Sequence, residues 1–226
     1  MSIQVKGFCF NIKKENTYVV YDQSGECVII DCGCQTEVEQ NELAQFIVSN
    51  SLKPKRLICT HFHLDHVFGN SFIEQTYGLK AETSEAERPL SEMMHYQLVA
   101  FEIADEDGLI PTPLFSLREG ETVEFGNSSL SIISTPGHSP GGLAFYSAKD
   151  GILFSGDTLM RGEFGATNLP GGRLPKLVKS IEEKLFPLPD NTVVYAGHGE
   201  PTTIGAEKAS NPILAEIEKR KAKLGR

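Results

Sequence analysis

Residues 60–66 read Thr-His-Phe-His-Leu-Asp-His and bring four potential metal ligands, His61, His63, Asp65 and His66, into six consecutive positions. They follow directly on the apolar run Leu57-Ile58-Cys59. In the extended end of a strand, side chains alternate with period two, so His61 and His63 point the same way. If a helix begins near Leu64, Asp65 and His66 turn toward a neighbouring direction. One short segment then offers two ligands to each of two ions. A lone histidine is usually structural, but four imidazole and carboxylate groups at this spacing are hard to accommodate as core.

Two more histidines each close an apolar run inside a glycine-containing turn: Ile132-Ile133-Ser134-Thr135-Pro136-Gly137-His138 and Val193-Val194-Tyr195-Ala196-Gly197-His198. The run Ile152-Leu153-Phe154-Ser155-Gly156-Asp157 has the same form with a carboxylate in place of the imidazole. Strand ends followed by such loops are where α/β layers assemble sites from distant sequence. Imidazole and carboxylate suit Zn²⁺, and also Fe or Mn. Two such ions about 3.5–4 Å apart can share a water and lower its pKa toward about 7. No Ser or Cys nucleophile is then needed, and no Ser-His-Asp or Cys-His pattern stands out; Ser139 belongs to a turn.

Short Val- and Ile-rich runs predict strands at 3–10, 17–22, 27–31, 57–60, 122–126, 129–135, 142–147, 151–155 and 192–196. Turn residues at Asp22-Gln23-Ser24-Gly25 and Lys149-Asp150-Gly151 join some of them as hairpins. Thr36-Glu37-Val38-Glu39 is a capping box opening a helix to about Asn50, with Leu43, Phe46 and Ile47 on one face. Further helices are predicted over 91–104, over 173–186 and from the Asn211-Pro212 cap to about Lys223. Strands interleaved with helices imply α/β layers, and 226 residues suit one domain over 1–226. Segment 84–118, carrying Met93, Met94, His95, Tyr96 and Phe101, reads as an amphipathic core helix and an acidic loop, with a wall over the site as the alternative.

The net charge of −9 argues against nucleic acid as a partner. The densest basic run, Lys219, Arg220, Lys221, Lys223 and Arg226, shares a helix with Glu216 and Glu218 and reads as a solvated face. No run of about 18 apolar residues predicts a membrane span. The start, MSIQVKGFCFNI, lacks signal-peptide features, so a cytoplasmic location is expected. Five cysteines, mostly in apolar runs, read as buried reduced thiols, and the one-residue spacing of Cys32 and Cys34 is not that of the usual zinc or redox pairs.

The order H-x-H-x-D-H, Gly-His, Gly-Asp and Gly-His across residues 61–198 resembles the metallo-β-lactamase superfamily. The resemblance implies an α/β four-layer αβ/βα sandwich of two mixed β-sheets with helices outside. It implies two divalent metal ions, zinc first, with iron or manganese as alternatives. His61, His63 and His138 would hold one ion, Asp65, His66 and His198 the other. Asp157 would bridge them, and Asp65 and Asp157 are the expected catalytic carboxylates. Asp31, closing the run Cys27-Val28-Ile29-Ile30, looks like the family's early Asp-Gly motif and is expected to orient ligands without binding metal.

Within that superfamily, Gly156-Asp157-Thr158-Leu159, then Gly165 and Leu169-Pro170-Gly171-Gly172, are similar to glyoxalase II and its single-domain relatives. The ending Gly197-His198-Gly199-Glu200-Pro201-Thr202-Thr203-Ile204-Gly205 is similar too. The resemblance implies hydrolysis of a small-molecule acyl substrate, a glutathione thioester being the first candidate. Ala166 and Asn168 stand where an Arg and an Asp would be expected, and only 28 residues follow His198 where two-domain relatives carry a glutathione-holding helical domain. A lactonase and a persulfide dioxygenase with one iron are the alternatives. β-Lactam hydrolysis is disfavoured because Asp157 stands where many such enzymes carry Cys. The oligomeric state is open.

Overall fold

The computed structural model describes residues 2–100, 102–103, 110–223 and 225. The apolar runs become strands of two mixed sheets. The first has the order β1 (Gln4–Phe10), β2 (Glu15–Tyr21), β3 (Glu26–Ile30), β4 (Lys53–Ile58) and β5 (Ala81–Glu82). Its β1–β2–β3 part is antiparallel, whereas β3–β4 and β4–β5 are parallel. The second begins with β6 (Thr122–Phe125), β7 (Ser128–Ser134), β8 (Leu143–Ser147) and β9 (Ile152–Gly156) as an antiparallel meander. It continues through β12 (Val193–Ala196), parallel to β9, to β13 (Thr202–Thr203). A two-stranded ribbon, β10 (Leu159–Met160) with β11 (Glu163–Phe164), packs against β9 and β12 of the second sheet.

Three apolar layers separate the elements. Val20, Val28, Ile30, Ile58, Ile132, Phe145 and Phe154 fill the space between the two sheets. Leu43, Ile47 and Ile73 seal the outer face of the first sheet from helices α1 (Glu37–Ser49) and α2 (Asn70–Tyr77). Leu177, Ile204, Ile213 and Ile217 do the same for the second from α5 (Leu174–Ser180), α6 (Ile204–Ser210) and α7 (Ile213–Lys223), joined by Ile181 just beyond α5. The result is the expected helix–sheet–sheet–helix sandwich. β3 is buried along Cys27–Ile30 because both of its faces are covered, which is why it reads as a continuous apolar run. Among the described residues no helix is long and apolar enough to cross a membrane.

The capping box forms: the Thr36 hydroxyl accepts the Glu39 N–H while the Glu39 carboxylate accepts the Thr36 N–H at 2.8 Å. Asn211 caps α7 through the Ile213 N–H at 2.9 Å. The helix expected over 91–104 instead breaks into α3 (Arg88–Glu92) and α4 (Met94–Ala100), because Met93 leaves helical geometry at φ −92° and ψ 13°. Its end, with Phe101 and residues 104–109, lies outside the described residues, as does Arg226. The helix expected over 173–186 runs as α5 and then widens into a π turn, Ile181–Leu185. Four cysteines are buried thiols, whereas Cys9 is exposed.

Between the sheets, the β2–β3 turn is tied to the β6–β7 turn. The buried Asp22 carboxylate accepts the Ser24 N–H at 2.9 Å, the Asn127 N–H at 2.7 Å and the Ser128 hydroxyl at 2.9 Å. Gly126 makes this closeness possible: a Cβ there would stand 2.5 Å from Oδ1 of Asp22, and its φ is +55°.

Candidate metal centre

Every sequence-predicted ligand lies at the C-terminal end of a strand. His61 and His63 follow β4, and Asp65 and His66 sit in a single 3₁₀ turn, Leu64–His66, in place of a longer helix. His138 follows β7, Asp157 follows β9 and His198 follows β12. The first sheet thus brings four of the groups and the second brings three, all at one edge of the sandwich.

The donors form two triads. Those of His61, His63 and His138 lie within 4.8 Å of one another, as do those of Asp65, His66 and His198. Asp157 reaches both: its Oδ2 is 3.5 Å from Nε2 of His138 and 3.6 Å from Nε2 of His198, and its Oδ1 is 3.6 Å from Nε2 of His66. Gly197 lets this happen, because a Cβ there would stand 2.3 Å from Oδ1 of Asp157 and 2.6 Å from the His66 ring. A third grouping, Asp31 with His61 and His66, is spatially possible, but the Asp31 carboxylate is already committed to Thr60 and His66.

Four of the five rings are held from behind by an oxygen at Nδ1. His61 faces the Thr60 hydroxyl at 3.0 Å, and His66 faces Asp31 at 3.1 Å. His138 faces the Ala166 carbonyl at 2.7 Å, and His198 faces the Lys13 carbonyl at 3.1 Å. Each acceptor assigns the proton to Nδ1 and leaves the Nε2 lone pair aimed inward. Nδ1 of His63 meets Nε2 of His138 at 2.9 Å, a spacing two lone pairs tolerate only with a proton or cation between them.

The inward atoms are orphaned. Nε2 of His61 and His66 and Oδ1 of Asp157 are buried without a hydrogen-bond partner among the described residues. Buried polar atoms are rarely left so. Divalent cations would satisfy all of them at once, and five imidazoles with two carboxylates are the donor set such ions prefer. The electrostatics agree. Burial, reinforced by the neighbouring rings, pushes the His63 imidazolium down to about 3, so the ring is a neutral donor. Burial and the surrounding imidazoles push His61 down as well. In the second triad burial opposes charge, but the Asp157 and Asp65 carboxylates outweigh it and raise His66. Burial would lift Asp157; His66 and the other rings pull it well below the usual carboxylate range. Positive charge is wanted at this centre.

The centre opens into a cavity of about 340 Å³ lined by Leu90, Met93 and Gln97 on one side and Leu169 and Pro170 on another, with Lys13 beside His198. Segment 84–118 therefore does both things considered for it: Leu90, Met94 and Leu98 are core, while Met93 and Gln97 wall the site. His95 is exposed, near Tyr96. Lys13, Glu87 and Gln97 carry no motif, since their relation to the site is one of space alone.

Residues 13–198 match the sequence profile of the metallo-beta-lactamase superfamily. The hydroxyacylglutathione hydrolase GloC of Haemophilus influenzae is 35% identical over 202 residues, covering 89% of this chain and 93% of that protein. The crystal structure of TTHA1623 in a di-iron-bound form superposes with a TM-score of 0.81 at 34% identity, covering 92% of this chain and 99% of that one. That of the B3 metallo-beta-lactamase BLEG-1 gives 0.79 at 30% identity, covering 93% and 99%. With its ordered ligand motif, its two-sheet sandwich and its donors gathered at one sheet edge, the chain belongs to the metallo-β-lactamase superfamily of metal-dependent hydrolases.

Proposed function

We propose that this hydrolase cleaves thioesters at a dinuclear centre, zinc being the first ion to supply. In this reading His61, His63 and His138 hold one ion, Asp65, His66 and His198 hold the other, and Asp157 bridges them. The observation that carries it is the position of Asp157 within 3.6 Å of imidazole nitrogens from both triads. Since both sheets supply ligands, the chain acts as one catalytic unit. Two divalent ions bound there would supply a water acidic enough to ionise near neutral pH and a Lewis acid for the acyl oxygen.

The protein's own groups position and exclude. Thr60 and Asp31 fix the rings of His61 and His66, and the Ala166 and Lys13 carbonyls fix those of His138 and His198. Leu90, Met93, Leu169 and Pro170 give an acyl group an apolar seat beside the centre. Every imidazole and carboxylate among the described lining residues belongs to the triads or is Asp157, which leaves Lys13 as the remaining ionisable side chain. A site so short of general acids suits a leaving group that departs as an anion. Thiols, with an unperturbed pKa near 8.5, do so readily; amide nitrogens do not. The similarity to GloC supports hydroxyacylglutathione thioesters as first substrates.

The test is a panel of hydroxyacylglutathione, neutral thioesters, lactones and β-lactams, assayed with metal-quantified protein. Thioesters should turn over fastest, chelation should abolish turnover, and Zn²⁺, Mn²⁺ or Fe²⁺ should restore it. Lactones cleaved while thioesters stay intact would make the protein a lactonase. Oxygen uptake with one iron would make it a persulfide dioxygenase. A second reading, β-lactam hydrolysis, gains support from the 30% identity to BLEG-1, and the same panel decides it.

A further inference from the structure

The fully buried carboxylate of Glu87 lies behind both arms of the first triad. Its Oε2 accepts the Phe62 N–H at 2.8 Å, between His61 and His63. Its Oε1 accepts the Ser139 hydroxyl at 2.7 Å and the Gly141 N–H at 2.5 Å, in the loop that carries His138. Ten residues on, Gln97 grips the same arm around His63: its amide oxygen accepts the Leu64 N–H at 3.0 Å, and its amide nitrogen donates to the Phe62 carbonyl at 3.2 Å. Between these two residues, Leu90 in α3 and Met93 at the break between α3 and α4 form part of the cavity wall.

We propose that Glu87, assisted by Gln97, is a positioning residue that locks the His61–His63 arm to the His138 arm and makes the substrate wall and the first triad one rigid body. The inference rests on the two-triad reading of the centre. Two of the three donors facing Glu87 are backbone N–H groups, which cannot turn to accept. A carboxylate answers them with an acceptor on each side. A glutamine in its place carries one acceptor and one NH₂, so whichever way it is flipped an N–H on one arm meets a donor. Orientation by such outer partners is worth about 10–100-fold in metal affinity or activity elsewhere.

The experiment is competition of the metal-free protein for Zn²⁺ against a chromophoric chelator, resolved into steps, with thermal unfolding of the metal-free protein beside it. His63→Ala identifies the first-triad step and Asp65→Ala the second. Glu87→Gln should weaken the first-triad step about 10–100-fold and lower kcat for a thioester more than it raises KM. The second step should stay near wild type, and the metal-free Tm should fall only modestly, because one buried donor loses its acceptor. Gln97→Met should weaken the same step by a smaller factor, and it carries the test if Glu87→Gln does not fold. Wild-type affinity in both steps, or a lowered metal-free Tm with both steps intact, overturns the proposal. A wild-type protein that binds metal in one step overturns the two-centre reading instead, and the role of Glu87 is then judged on whether that single step weakens.

Discussion

The carboxylate of Asp31 stands 3.1 Å from Nδ1 of His66, and the same group accepts both the backbone N–H and the hydroxyl of Thr60 at 2.7 Å. Through Thr60, whose hydroxyl meets Nδ1 of His61, one buried acid orients a ring in each triad. Asp31 holds this place at φ +48°, a conformation that Asn also tolerates. Asp31→Asn should therefore keep the backbone while setting an amide NH₂ against either Thr60 or His66. Zinc affinity or turnover should fall about 10–100-fold, with a loss of stability no larger than that of one orphaned buried donor, about 1–3 kcal/mol. Wild-type affinity and turnover would show that Asp31 is a folding residue only.

Metal content separates the triads. Seven converging donors crowd one ion and, with water, complete two. Elemental analysis of gently purified protein should approach two metals per chain. Asp65→Ala should reduce this toward one and depress turnover sharply, and His63→Ala should do likewise from the other side. His95→Ala, at an exposed position outside the cluster, should leave both intact. Full metal content and turnover in Asp65→Ala would remove Asp65 from the ligand set.

The arms of the candidate centre were legible because each is written contiguously: an apolar strand, a small residue, then an imidazole or carboxylate. The nine expected strands are all present for the same reason, their burial being imprinted as Val- and Ile-rich runs. The two-residue strands β5, β10, β11 and β13 leave no such imprint. Helices α2 and α6 are equally silent, since eight and seven residues span too few turns for a periodicity to emerge. Glu87 and Gln97 read as ordinary helix residues because their hydrogen bonds to the arms of the site reach 25 to 54 positions along the chain. Groups that act on the site across such distances become visible only when the sheets are assembled.

Asp22 gives the fold a pH dependence independent of the metal centre. Burial raises its carboxyl, but the hydrogen bonds from Ser24, Asn127 and Ser128 win and bring it from 3.8 to about 2. A carboxyl depressed in the fold contributes stability that is complete above its unfolded pKa of about 3.9 and is lost as pH falls through the folded value. In metal-free protein, the stability difference between wild type and Asp22→Ala should be constant above about pH 5 and should shrink steadily between pH 4 and pH 2. Orphaning the donors sets its plateau at about 1–3 kcal/mol. Urea unfolding across this range checks it, and a difference that grows on acidification would invert the assignment.

Lys13 offers a test of what the cavity selects. Among the described lining residues it is the one cationic side chain, and its backbone carbonyl holds the His198 ring, so the side chain starts beside the centre. A thioester with a carboxylate on its thiol portion can place that charge near Lys13 while its acyl group meets Leu90 and Met93. A partly exposed pair of this kind is worth about 1 kcal/mol, or roughly fivefold in binding. Lys13→Met should raise KM about that much for carboxylate-bearing thioesters and leave kcat and the KM of neutral thioesters unchanged. Lys13→Glu should enlarge the discrimination, because attraction becomes repulsion, and added salt should shrink it. Equal KM changes for charged and neutral thioesters would mean that Lys13 shapes the wall without reading charge, and a loss of kcat alone would point to the hold on His198.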